Sequence, residues 1–122
     1  TGAKFFLKRV PDPERFGVLE LNKKGEPIDL VEKPKKFISD LRIVAMYLYD
    51  NKVFDVIDTL KPSGRGELEI TDINRWYLEH KELKFEYFKG RNVDAGTFDS
   101  LLEANIFIAQ KEGSKLAKKC GI

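Results

Sequence analysis

The side chains best suited to chemistry stand in short, separate stretches: Phe16-Gly17-Val18, Glu32-Lys33-Pro34, Gly64-Arg65-Gly66 and Asp94-Ala95-Gly96-Thr97. A glycine lets a ligand approach the main chain closely. A carboxylate has the lone pairs to accept two hydrogen bonds at once. An ammonium neutralises an anion as a point charge, whereas a guanidinium forks onto two phosphoryl oxygens. An aspartate such as Asp94 is a hard oxygen donor of the kind magnesium takes, usually one or two carboxylates beside water and phosphates. Strict strand alternation would send Glu32 and Lys33 to opposite faces, so both reach one ligand only if the strand twists or bulges at its end. Pro34 is expected to hold Lys33 extended.

The elements that must position these groups alternate between strand and helix. Phe5-Phe6-Leu7 starts a strand that Val10-Pro11-Asp12-Pro13 breaks. Val18–Leu21 and Ile28–Glu32 form a β-hairpin about Asn22–Glu26, where Gly25 supplies the positive φ. Ile43–Tyr49 is apolar without alternation, as in a central strand covered on both faces. Asp50 is placed to cap a helix carrying Val53, Phe54, Val56, Ile57 and Leu60 at 3.6-residue spacing. A second helix begins near Thr71-Asp72, which suffice as its cap, and carries Ile73, Trp76 and Tyr77 to about His80. Phe85 and Tyr87 mark another strand. Thr97 caps a last helix with Phe98, Leu101, Leu102, Ile106 and Ile108 facing inward, and Gly113 to Ile122 is a frayed, lysine-rich tail. The fold class expected is α/β, part of a layered, Rossmann-like mixed sheet flanked by helices, with a β-hairpin. Ligands of open α/β sheets sit at the carboxyl ends of strands, which directs attention to the loops after Glu32, Leu60 and Phe88.

Composition narrows the partners. The chain has 122 residues, 42% of them apolar and 34% charged, and its 22 basic against 20 acidic side chains leave a net charge of +2. That balance gives no electrostatic case for nucleic acid or a membrane surface. One cysteine, Cys120, can form neither an internal disulfide nor a cysteine-based zinc site, and no apolar run approaches a membrane span. A cytoplasmic location is the simplest expectation. His80, alone and near a helix end, reads as structural, as do Trp76 and Tyr77. The abrupt start at Thr1 suggests a piece of a longer polypeptide, with an exposed strand edge near Phe5-Phe6-Leu7.

Several stretches agree, in order and spacing, with one family: Asp12-Pro13-Glu14-Arg15-Phe16-Gly17-Val18, Glu32-Lys33-Pro34-Lys35, Leu60-Lys61-Pro62-Ser63, Arg65 to Asn74, and Asp94-Ala95-Gly96-Thr97. Over nearly the whole chain they resemble the glucose-1-phosphate thymidylyltransferases, among the sugar-phosphate nucleotidyltransferases. The resemblance implies that residues 1–122 are a single segment, the C-terminal, sugar-phosphate-binding half of such a domain, with the N-terminal nucleotide-binding half absent. It implies transfer of a thymidylyl group from dTTP to glucose 1-phosphate, with Mg2+ as cofactor, in a homo-oligomer. The segment alone is then expected to catalyse little. By the same resemblance Gly17 offers its backbone to the sugar, and Glu32 accepts from sugar hydroxyls. Lys33 and Arg65 bind phosphate and are the catalytic cations, Ile43 and Tyr47 line the sugar pocket, and Asp94 binds the metal. The chain departs from the family pattern at Asp40-Leu41-Arg42, Val44-Ala45 and Arg91-Asn92-Val93, which bears on the identity of the sugar. The alternative is a non-catalytic binding or regulatory module on the same fold.

Overall fold

The computed structural model describes residues 1–64, 66–111, 113, 115–119 and 121, without the side chains of Leu116 and Ala117; Arg65 and Cys120 lie outside the described residues. The chain forms two compact units, Thr1–Lys89 and Gly90–Ile122. Among the described residues no helix is long and apolar enough to cross a membrane.

The first unit is a five-stranded mixed sheet in the order β3-β2-β4-β1-β5. Its strands are β1 (Ala3–Arg9), β2 (Gly17–Leu21), β3 (Pro27–Glu32), β4 (Leu41–Tyr49) and β5 (Leu83–Tyr87). The expected hairpin is β2–β3, antiparallel with Gly17 opposite Glu32. Its turn is held locally: Asn22 Oδ1 accepts the N–H groups of Lys24 and Glu26, and Gly25 takes φ +80°. A proline can open β3 because β3 is an edge strand.

β1 runs antiparallel to β4 and parallel to β5, with Phe5 and Leu7 fully buried. The edge expected near Phe5-Phe6-Leu7 is therefore not an edge, because both sides of that strand are occupied. β4 is buried from Leu41 to Val44, so of the stretch expected to be covered only Ile43 and Val44 are; Ala45, Met46 and Leu48 are exposed. In the β1–β4 register, Phe5 pairs with Tyr47 but Phe6 with Val44, which leaves Ala45 and Met46 as extra residues in β4. A bulge of this kind bends the strand and re-aims the side chains after it.

Helices α1 (Lys52–Thr59) and α2 (Ile70–Glu79) follow β4. In α1 Val56 is buried, while Phe54 and Ile57, expected on its inner face, are exposed. Asn51 occupies the cap position of α1; Asp50, just before it, accepts from the Lys52 N–H at 3.2 Å, from Gly2 N–H at 2.7 Å and from the Tyr77 hydroxyl at 2.8 Å. One carboxylate thus ties the start of β1, the end of β4 and α2 together. α2 buries Thr71, Ile73, Asn74 and Tyr77, a stripe at helical spacing. Its cap residue is Glu69, so Thr71 and Asp72 lie inside the helix instead of capping it.

In the second unit, α3 (Phe98–Lys111) starts where expected. Thr97 Oγ1 accepts from the Ser100 N–H and Ser100 Oγ accepts from the Thr97 N–H, a reciprocal cap. The expected inward face does not materialise: α3 buries no residue, and Phe98 is 94% exposed. Lys115–Lys119 forms a short helix, α4, where a frayed tail was expected.

Candidate functional site

Residues expected to contact ligand converge where β2, β3, β4 and α2 meet. Gly17 faces Glu32 across the hairpin, and a Cβ on Gly17 would stand 3.0 Å from Glu32 Oε2, 3.1 Å from Thr71 Oγ1 and 3.7 Å from Ile43 Cδ1. The missing side chain is what lets the carboxylate lie over the main chain. Glu32 Oε2 accepts a 2.6 Å hydrogen bond from the Thr71 hydroxyl. Its other oxygen and remaining lone pairs are available to hydroxyl donors.

Tyr47, on β4, lies near enough to Glu32 to feel its charge. Burial raises its hydroxyl above the ordinary tyrosine range, and the negative charge of Glu32 pushes it further the same way. The phenol therefore stays protonated and can donate. Behind it, Tyr47 stacks on Tyr49 at 5.9 Å and Tyr49 on Tyr77 at 5.7 Å, and the Tyr49 hydroxyl donates to Asn74 Oδ1 at 2.7 Å. The bulge at Ala45-Met46 lies between Ile43 and Tyr47 and sets where Tyr47 falls along the site.

Lys33 resolves the alternation problem by leaving the strand. Its φ is +43°, in the left-handed region that non-glycine residues rarely adopt, and its N–H donates to the Phe16 carbonyl at 3.0 Å. The extended Lys33 expected before a proline is thus not what forms. The turn instead brings Glu32 and Lys33 onto one cleft of about 370 Å3, with Lys35, Ser63, Glu69 and Thr71 among its lining. Such strain persists only where its surroundings enforce it, and it gathers at ligand sites. The cleft uses two of the three loops expected, those after Glu32 and after Leu60.

Asp94 belongs to the second unit, where its Oδ2 would stand 3.4 Å from a Cβ on Gly96. Its hard oxygens match magnesium in donor type, but among the described residues no group of three histidine, cysteine, aspartate or glutamate side chains could hold a metal. One carboxylate is not by itself a metal cage, and magnesium held there would take its remaining ligands from water and phosphates. His80 stacks on Trp76 at 3.8 Å with Nδ1 2.7 Å from the Trp76 carbonyl, in keeping with a structural role.

Thr71, which holds Glu32, is not among the expected site residues, nor is Asn74, three residues on, which holds Tyr49. The signal for them was present: two polar residues three apart on the face of α2 that also carries Ile73 and Tyr77 must find buried partners. At the positions where the chain departs from the resembled pattern, Arg42 is buried with its guanidinium 4.4 Å from the Phe16 ring, and Arg91 pairs with Glu103 at 2.5 Å.

The fold and this cleft define an α/β protein with a carboxylate and ammonium groups gathered at the end of a hairpin strand. The sequence pattern of the nucleotidyl transferase family matches residues 1–111, and the chain belongs to that family. It is 48% identical over 110 residues to a glucose-1-phosphate thymidylyltransferase of Xanthomonas campestris pv. campestris, covering 88% of this chain and 37% of the relative. The corresponding protein of Neisseria meningitidis is 44% identical, with 88% and 38% covered. This chain thus spans well under half the length of these relatives. A crystal structure from Bacillus anthracis, described as a glucose-1-phosphate thymidylyltransferase in complex with a sucrose, superimposes with a TM-score of 0.78 at 50% identity over 87% of this chain and 43% of that one. UDP-glucose pyrophosphorylase complexed with UDP-glucose shares the fold at a TM-score of 0.80 and 24% identity, over 90% and 45% of the two chains.

Proposed function

We propose that this chain supplies the sugar 1-phosphate site of a nucleotidyltransferase that joins glucose 1-phosphate to the thymidylyl group of dTTP. In that reaction an oxygen of the sugar phosphate attacks the α-phosphorus of dTTP, the bond from that phosphorus to the bridging oxygen breaks, and pyrophosphate leaves. Little covalent work falls to the protein; it must hold the attacking phosphate in line and neutralise its charge. Glu32 and Tyr47 take the sugar hydroxyls, Gly17 and Ile43 form the surface against which the ring lies, and Lys33 takes the phosphate. Arg65 is a second phosphate ligand, and Asp94 is one carboxylate ligand of a magnesium ion. The working enzyme is a homo-oligomer. The observation that carries this reading is the convergence of Gly17, Glu32, Ile43 and Thr71, with Lys33 turned onto the same cleft.

Calorimetric titration of the chain with glucose 1-phosphate, glucose and inorganic phosphate tests it. The sugar phosphate is expected to bind at least tenfold more tightly than either part, because both halves of the site are engaged. Equal affinity for glucose 1-phosphate and inorganic phosphate would contradict it.

A further inference from the structure

The cleft contains a second lysine, Lys35, beside Lys33. Its three carboxylates are all engaged: Glu32 by Thr71 at 2.6 Å, Glu69 by Ser63 at 2.9 Å and Asp72 by Arg75 at 3.3 Å. Its two ammonium groups, Lys33 and Lys35, have no ion-pair partner among the described residues. Pro34, between them, is buried, so the segment is anchored at its centre while the two charged side chains stay exposed. Residues two apart span at most about 7 Å of backbone, within reach of a single small anion for side chains of this length. A phosphate monoester carries a charge of about −1.5 to −2 at neutral pH.

We infer that Lys35 is a further cation for the phosphoryl group, beside Lys33 and Arg65, so that lysines on both sides of Pro34 hold one sugar phosphate. The inference rests on the reading of the cleft as a sugar 1-phosphate site and adds a residue to it. Each further positive charge strengthens the hold on a dianion, and a lysine supplies it as a point charge.

The test is titration of glucose 1-phosphate into the unmodified chain and into Lys33→Ala, Lys35→Ala, Lys35→Arg and Lys36→Ala, at low and physiological salt. These side chains are exposed, and thermal melting checks that each variant is folded. Lys35→Ala is expected to weaken binding about tenfold, the scale of one charge-assisted hydrogen bond. Its salt dependence should flatten, and Lys35→Arg should retain most of the affinity. Lys36→Ala should leave affinity unchanged. If Lys33→Ala loses binding while Lys35→Ala keeps the affinity and salt dependence of the unmodified chain, the role of Lys35 is overturned and the cleft reading stands. If Lys36→Ala weakens binding as much as Lys35→Ala, a diffuse field replaces the contact and the inference is equally overturned. If the unmodified chain binds no glucose 1-phosphate, the cleft reading fails and Lys35 with it.

Discussion

The Thr71 hydroxyl donates to Glu32 Oε2 at 2.6 Å, joining the first turn of α2 to the last residue of β3. A carboxylate at a strand end is free to rotate, whereas one oxygen fixed by a donor on a packed helix presents the other in one direction. Replacing Thr71 by valine keeps the volume and removes the donor. Stability should fall by about 1–2 kcal/mol, read from the urea midpoint. Affinity for glucose 1-phosphate should fall several-fold, and serine at position 71 should restore most of both.

Gly17 tests the same contact from the opposite side. An alanine there meets Glu32 Oε2 at 3.0 Å and Thr71 Oγ1 at 3.1 Å, so the carboxylate must shift by a few tenths of an ångström. Gly17 lies in β2 and has no positive φ, which removes backbone strain as an explanation. Gly17→Ala should therefore change stability by less than about 1 kcal/mol while weakening glucose 1-phosphate binding clearly. A variant that lost several-fold in stability midpoint but kept its affinity would place Gly17 in folding rather than in the site.

Tyr77 gives the first unit an alkaline limit. Burial, followed by its hydrogen bond to Asp50, pushes the phenol up to about 12. The folded protein keeps this proton at a pH where the unfolded chain, with an ordinary value near 10, has lost it. Its stabilising contribution is complete below about pH 10 and is lost as pH rises toward 12. Urea unfolding between pH 9 and 12 should show that decline, and Tyr77→Phe, which cannot ionise, should make it shallower.

Much of this arrangement is legible in the residues, and the parts that are not have physical reasons. Gly25 announces the hairpin because few other residues take its φ, and the spacing of Ile73 and Tyr77 announces the buried face of α2. Gly17, Glu32 and Ile43, far apart in the chain, come together in the fold. The neighbours of β1 were not legible, because strand order is settled by pairings far apart in sequence. Neither was the left-handed turn at Lys33, which the following proline argues against locally and which the surrounding packing overrides. Thr71 escapes a sequence reading for a related reason: a threonine near a helix start has a local role available as a cap, and only the three-dimensional approach of β3 reveals the longer-range partner.

The measurement closest to the central claim is a map of backbone amide shifts in the chain as glucose 1-phosphate is added. The account predicts saturable shifts concentrated at Gly17, Glu32, Lys33, Ile43, Tyr47 and Thr71, lost in Glu32→Gln. Shifts confined to another surface, or none at saturating ligand, would contradict it.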